Sequence, residues 1–186
     1  DLGRLMLTDQ LKFLYYEVFR NATLVLTNPP HFLKFKEMGV DEKKMIQYVS
    51  VKVPADVFYP KPMPKNEFTV GIYGKSGPTK GSLELIRAVS LLKAEGFPVN
   101  LKALWGGRFL PKVRQDIETL DVADRVLVQS YVPHWKIPYF IWNCHMVLFL
   151  ENNFSISFHG PGVPIESLCC GRPVLTTEEI KKKRPD

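Results

Sequence analysis

Phe158-His-Gly-Pro-Gly-Val-Pro-Ile-Glu166-Ser-Leu-Cys-Cys-Gly171-Arg-Pro-Val-Leu-Thr-Thr177 places a glycine- and proline-rich turn, a short helix and a strand in close succession. Pro164 suits the first turn of a helix and Gly171 the position just past its end, so the spacing predicts a helix over Pro164–Cys170 and a strand over Pro173–Thr176. The turn brings backbone N–H groups near Gly160, Gly162 and Val163 to a helix start, where the helix dipole favours an anion. The carboxylate of Glu166, one turn further in, can accept from ribose hydroxyls. By itself Glu166 also reads as an ordinary first-turn acid favoured by the same dipole.

The preceding hundred or so residues repeat the same strand-and-helix rhythm. Strands are predicted at Phe68–Tyr73, Val99–Trp105, Arg125–Gln129 and Met146–Leu150. Helices fall between them, at Ser82–Glu95 stopped by Gly96, at Pro111–Leu120, and around Ile137–Cys144. Short apolar strands alternating with helices imply right-handed βαβ units and a doubly wound parallel α/β sheet, whose ligands bind at the carboxyl ends of the strands. Nearer the start, a helix ends near Arg20 and Ala22–Thr27 is a strand. Asn28-Pro29 opens a helix closed by Gly39, and Met45–Val51 is a further strand. Pro54, Pro60, Pro62 and Pro64 then read as a semi-rigid linker, which puts a boundary between a first segment, residues 1–60, and a domain over residues 66–186. The basic run Lys181–Arg184 reads as a solvated tail.

Length and composition set the frame. The 186 residues are 45% apolar and 24% charged, enough for one sizeable core and part of another domain. A formal charge of +6 suits anionic partners: nucleotide phosphates, a peripheral anionic membrane surface or nucleic acid. The cations are spread along the chain and no nucleic-acid recognition motif accompanies them, so no specific nucleic acid is expected. Cys144, Cys169 and Cys170 make an odd count, which points to buried thiols, a reducing compartment and a cytoplasmic protein. Their spacing does not fit zinc, and no metal site is expected. The longest apolar run, Ile137–Leu150, is shorter than a bilayer span.

A second motif, Val70-Gly-Ile-Tyr-Gly74-Lys75-Ser-Gly-Pro-Thr-Lys80-Gly81, stands where a strand gives way to a helix. Its glycines let backbone approach a pyrophosphate and its two lysines can reach the same anion. It matches neither a Walker loop nor a dinucleotide fingerprint. Alone it would be a common turn with solvated lysines.

Together the two motifs resemble the donor-site signature of GT-B glycosyltransferases of the family 4 type. There a Gly-Arg-x4-Lys-Gly loop precedes an acid, seven residues, a second acid and Cys-Gly-x-Pro-Val. On that resemblance residues 66–177 look like most of the Rossmann-like, C-terminal donor domain, incomplete at its end. Residues 21–60 look like the last part of the N-terminal acceptor domain with the interdomain crossing. The resemblance implies that Gly74, Lys75 and Lys80, with amides of Gly160, Gly162 and Val163, hold a donor diphosphate, and that Glu166 holds the ribose. Lys75 stands where arginine is usual, which keeps the charge but loses the bidentate fork. Phe158 stands where the first acid belongs, so Phe158 would face the sugar; His159 would meet the sugar or the β-phosphate, or equally satisfy loop backbone from the surface. Val132, in Asp124–Pro133, would face the base, and Leu104–Arg108 is a structural turn. His134, Trp135 and Trp142 admit a stacking platform, although aromatics beside Phe140 and Ile141 more often pack in a core.

The implied activity is transfer of a sugar from a nucleotide-diphosphate sugar, retaining and without metal, to a glycan, lipid or protein acceptor held by the other domain. No resident cofactor is implied, and no catalytic acid or base is identifiable. Phe158 leaves a non-catalytic nucleotide or nucleotide-sugar binding module as the alternative.

Overall fold

The structure is a computed structural model that describes residues 17–27, 29–47, 53–153 and 161–183. Asn28, residues 48–51 of the strand expected there, and the site candidates Phe158, His159 and Gly160 lie outside the described residues. The chain divides into two compact units between Lys52 and Val53.

In the first unit β1 (Val25–Thr27) pairs in parallel with β2 (Met45–Gln47), and α1 (Pro29–Glu37) links them. The apolar positions read from the sequence form its core: Val25, Phe35, Val40 and Met45 are buried, and Phe19 and Phe35 pack with ring centroids 4.6 Å apart.

The second unit is a five-stranded parallel sheet. In chain order its elements are β3 (Thr69–Lys75), α2 (Ser82–Ala94), β4 (Asn100–Gly106), α3 (Leu110–Thr119), β5 (Val126–Gln129), α4 (Ile137–Trp142), β6 (Met146–Phe149), α5 (Val163–Cys169), β7 (Val174–Thr176) and α6 (Glu178–Lys183). The strand order is β5-β4-β3-β6-β7, with every neighbour parallel. Strand order therefore reverses between β3 and β6, which is the topological switch point of a doubly wound sheet. The expected α/β fold is what forms.

Side-chain alternation along the strands divides the core. Leu101, Ala103 and Trp105 of β4 join Val70 and Ile72 against Ile86, Val89, Val113 and Ile117 of α2 and α3. Leu104 of β4 and Tyr73 of β3 join Phe140, Ile141 and Val147 in a second cluster. Gly71 makes the second packing possible. A Cβ there would lie 2.6 Å from Cys144 Sγ and 3.1 Å from Phe140, so α4 can approach β3 this closely only over a glycine. Cys144, Cys169 and Cys170 are free, and burial pushes the Cys144 and Cys170 thiols up to about 11.

Two sequence expectations are corrected. The proline-rich stretch, expected as a semi-rigid linker between two domains, belongs to the second unit, which begins at Val53, ahead of the expected boundary at residue 60. Phe58 is buried in the second cluster and Trp142 Nε1 donates to the Tyr59 carbonyl at 2.8 Å. Buried Arg172 donates to the carbonyls of Lys61 and Pro62, each at 2.8 Å, and to that of Trp142 at 3.1 Å. Apolar anchors and the buried Arg172 guanidinium, whose two terminal amino groups donate to backbone oxygens, thus hold a segment that composition alone marks as a spacer. The second correction is the basic run, whose described part is helical rather than a free tail, although Lys181 and Lys182 are exposed as expected. Residues 181–183 belong to α6, which Ile180, almost fully buried, fixes to the unit.

Candidate functional site

The switch point of the sheet brings two loops together at the carboxyl ends of β3 and β6. β3 ends in Tyr73-Gly74-Lys75, with Gly74 at φ +121°, and the chain reaches α2 through Gly81 at φ +65°. At Gly81 a Cβ would lie 2.7 Å from Leu150 Cβ, so glycine lets this turn rest on the end of β6. Backbone completes the join, Asn152 N–H donating to the Thr79 carbonyl at 3.0 Å. On the other side Ser76 donates from both N–H and Oγ to the Gly106 carbonyl, at 3.0 and 3.1 Å, tying the same loop to β4.

Lys80 leans across this junction onto Glu151, the residue that follows β6, and forms an ion pair with it. The Glu151 side chain is fully buried while that of Lys80 is 23% exposed. A buried carboxylate needs such a partner. The pair positions the ammonium at the loop junction and moderates its charge. Lys75 is exposed at the tip of β3 and forms no ion pair among the described residues.

Glu166 lies in the first turn of α5, where Gly162 accepts its N–H at 3.0 Å. Its carboxylate is gripped from two directions. Tyr73 Oη donates to Oε2 at 2.7 Å, and His134 Nε2 lies 2.9 Å from Oε1. The Glu166 side chain is 13% exposed and that of His134 is 59% exposed, so the acid is mostly enclosed behind a histidine that faces solvent. Burial, reinforced by the Glu166 charge, pushes the Tyr73 phenol far above its ordinary range. It therefore stays neutral and remains a donor. The His134 ring also packs on Phe58, centroids 5.0 Å apart.

Sequence-predicted residues thus fall into two places. Gly74, Lys75 and Lys80 form the β3 loop, and Gly162, Val163 and Glu166 form the start of α5. Tyr73 joins the two, because its strand opens the loop and its hydroxyl holds the acid. Val132 is half-buried and lines a groove over β4 and β5. Trp142 is a core residue, as its neighbours suggested. Sequence reasoning assigned no role in the site to Tyr73 or Glu151, and weighed His134 only as part of a stacking platform. Glu151 had a readable signal, an acid directly after a predicted strand at the ligand-binding end of the sheet. Among the described residues no cluster of three or more His, Cys, Asp or Glu side chains could hold a metal ion.

Comparison with known proteins decides the family. The family model described as glycosyl transferases group 1 matches residues 57–182. The chain belongs to that family. No curated protein is a significant match. Among solved structures, the C-terminal domain of the group 1 glycosyl transferase LpcC from Francisella tularensis aligns with TM-score 0.55 and 20% identity over 69% of this chain and 72% of that one. Anabaena HepE, in complex with UDP and glucose, aligns with TM-score 0.70 and 18% identity over 93% of this chain and 49% of HepE. Sucrose-phosphate synthase from Thermosynechococcus elongatus aligns with TM-score 0.67 and 16% identity over 96% of this chain and 48% of its own. The chain thus spans about half the length of the latter two proteins. The group 1 matches agree with the fold: a Rossmann-like sheet of the kind found in the C-terminal domain of GT-B glycosyltransferases.

Proposed function

We propose that the second unit binds the donor of a glycosyl transfer, a nucleotide-diphosphate sugar. The observation that carries this reading is the 2.7 Å hydrogen bond from Tyr73 to Glu166, which joins the acid of α5 to the strand that opens the lysine loop. Lys75 and Lys80 meet the diphosphate, helped by backbone at Gly74, Gly162 and Val163, and Glu166 accepts from the ribose hydroxyls. Lysine charge then takes the part a metal would play in stabilising the leaving diphosphate, and the donor needs no magnesium. Retention at the anomeric carbon, a hexose donor and an acceptor bound outside the second unit complete the proposal. HepE was solved with UDP and glucose, which makes uridine the first base to try.

Calorimetric titration of the full chain with UDP, GDP, ADP and their sugar conjugates, with and without magnesium, tests it. Saturable binding of one nucleotide is expected. Loss of a charge-assisted contact in Lys80→Ala should weaken it about ten-fold or more, with a similar loss in Glu166→Ala. Failure of every nucleotide to bind would refute the donor site. Phe158, in place of an acid, supports a second reading, a nucleotide-sugar binding module without catalysis. Binding without any hydrolysis or transfer, once acceptor and acceptor-side domain are supplied, would favour that one.

A further inference from the structure

Glu166, which the donor reading assigns to the ribose, has a protein partner at each oxygen. Tyr73 Oη donates to Oε2 at 2.7 Å, and His134 Nε2 lies 2.9 Å from Oε1. The two partners differ in freedom. Tyr73 stands on β3, the central strand of the sheet, with its ring packed edge-on against Phe140, centroids 5.8 Å apart. His134 opens a three-residue turn, His134–Lys136, that leads into α4, and its side chain is 59% exposed. The Lys136 N–H closes that turn on the Pro133 carbonyl at 2.8 Å, so the backbone can keep its shape while an exposed ring changes rotamer.

A carboxylate only 13% exposed is costly to leave bare. Whatever lifts His134 from Oε1 has to put a hydrogen bond in its place. Two adjacent ribose hydroxyls are donors that can make this exchange; a phosphate or a dideoxyribose is not. We propose that His134 is a latch on the ribose acceptor: it caps Oε1 until ribose hydroxyls replace it, and so selects nucleotides that carry them. Tyr73 keeps Oε2 throughout and holds the acid in place during the exchange. The inference rests on the donor reading and adds to it a residue that sets selectivity at the sugar of the nucleoside.

Calorimetry of the full chain and of His134→Ala, with UDP, GDP, ADP and their dideoxynucleoside counterparts, tests the latch. For the ribonucleotide that binds, His134→Ala should tighten affinity about five-fold, one charge-assisted contact discounted for its exposure. Affinity for the dideoxy counterpart, which leaves the cap in place, should change by less than about two-fold. His134→Gln, whose amide can donate from near the place of Nε2, should return ribonucleotide affinity to the wild-type value. The ring NMR signal that disappears in His134→Ala should shift when the ribonucleotide is added to the wild-type chain and stay in place with the dideoxy ligand. Weaker ribonucleotide binding in His134→Ala would make His134 a positioning partner of the acid and overturn the latch. An equal gain for both ligands, or a gain in His134→Gln as large as in His134→Ala, would overturn it too. Failure of every nucleotide to bind either protein is a distinct result: it ends the donor reading and the latch with it.

Discussion

Tyr73→Phe removes one hydroxyl from the enclosed acid and little else. The ring keeps its edge contact with Phe140, centroids 5.8 Å apart, and His134 still meets Oε1. What disappears is the 2.7 Å donor to Oε2 of a side chain only 13% exposed, where water can replace it poorly. A hydrogen bond to a charged acceptor is worth about 1.5–3 kcal/mol, so a loss of about 2 kcal/mol is expected. For a chain of this size that lowers Tm by about 4–8 °C. A second signature follows from the titration of the phenol. Its folded pKa is raised, so its contribution is fully present below the ordinary tyrosine value near 10 and is lost as pH rises above it. The loss runs at about 1.4 kcal/mol per pH unit, and the advantage over Tyr73→Phe should vanish near pH 11.5, about one and a half units higher. Urea unfolding of both proteins from neutral to alkaline pH measures each part. A Tm change under about 1 °C, or a stability gap that stays constant above pH 10, would refute the assigned hydrogen bond and the neutral phenol.

Gly71→Ala places a methyl against Cys144 Sγ and Phe140, and overpacking of this kind should cost about 1–3 kcal/mol in thermal or urea unfolding. Wild-type stability would mean that α4 yields more readily than its burial indicates. Iodoacetamide labelling of the native chain near pH 8 should modify half-buried Cys169 ahead of Cys144 and Cys170, which are buried and whose thiols are pushed up to about 11. Mass spectrometry of the labelled peptides reads the order directly, and labelling of Cys144 first would contradict the packing of α4.

The sheet was readable because its elements carry local punctuation. Gly96 and Gly171 both adopt the positive φ of a helix end, at +80° and +73°, and the short strands between them are rich in apolar residues, β6 (Met146–Phe149) continuously so. Less was readable where meaning depends on a distant partner. Glu151 pairs with Lys80 from 71 positions away, and Tyr73 meets Glu166 across 93, so neither spacing nor composition pairs them. Alternation offered one clue: Ile72 and Tyr73 must face opposite sides of β3, which sets Tyr73 on the side where α5 packs. The helix after β7 was hidden for another reason. Four basic residues in a row suggest solvation, while the burial of Ile180 and the hydrogen bond from Asn153 N–H to Glu179 that hold the helix lie outside the run itself.

The seizure of the proline-rich stretch by Arg172 has a mechanical consequence. A chain entering at Val53 does not pass freely to β3. It is caught first at Phe58, buried in the second cluster, then at Tyr59 by Trp142, the last residue of α4, and then at Lys61 and Pro62 by the guanidinium just past the end of α5. Any tension on that entering strand is therefore delivered to the helix that carries Glu166 and to the helix that follows His134, before it reaches the sheet. The strap thus ties together, at one point each, the elements that present the two ends of the His134–Glu166 contact.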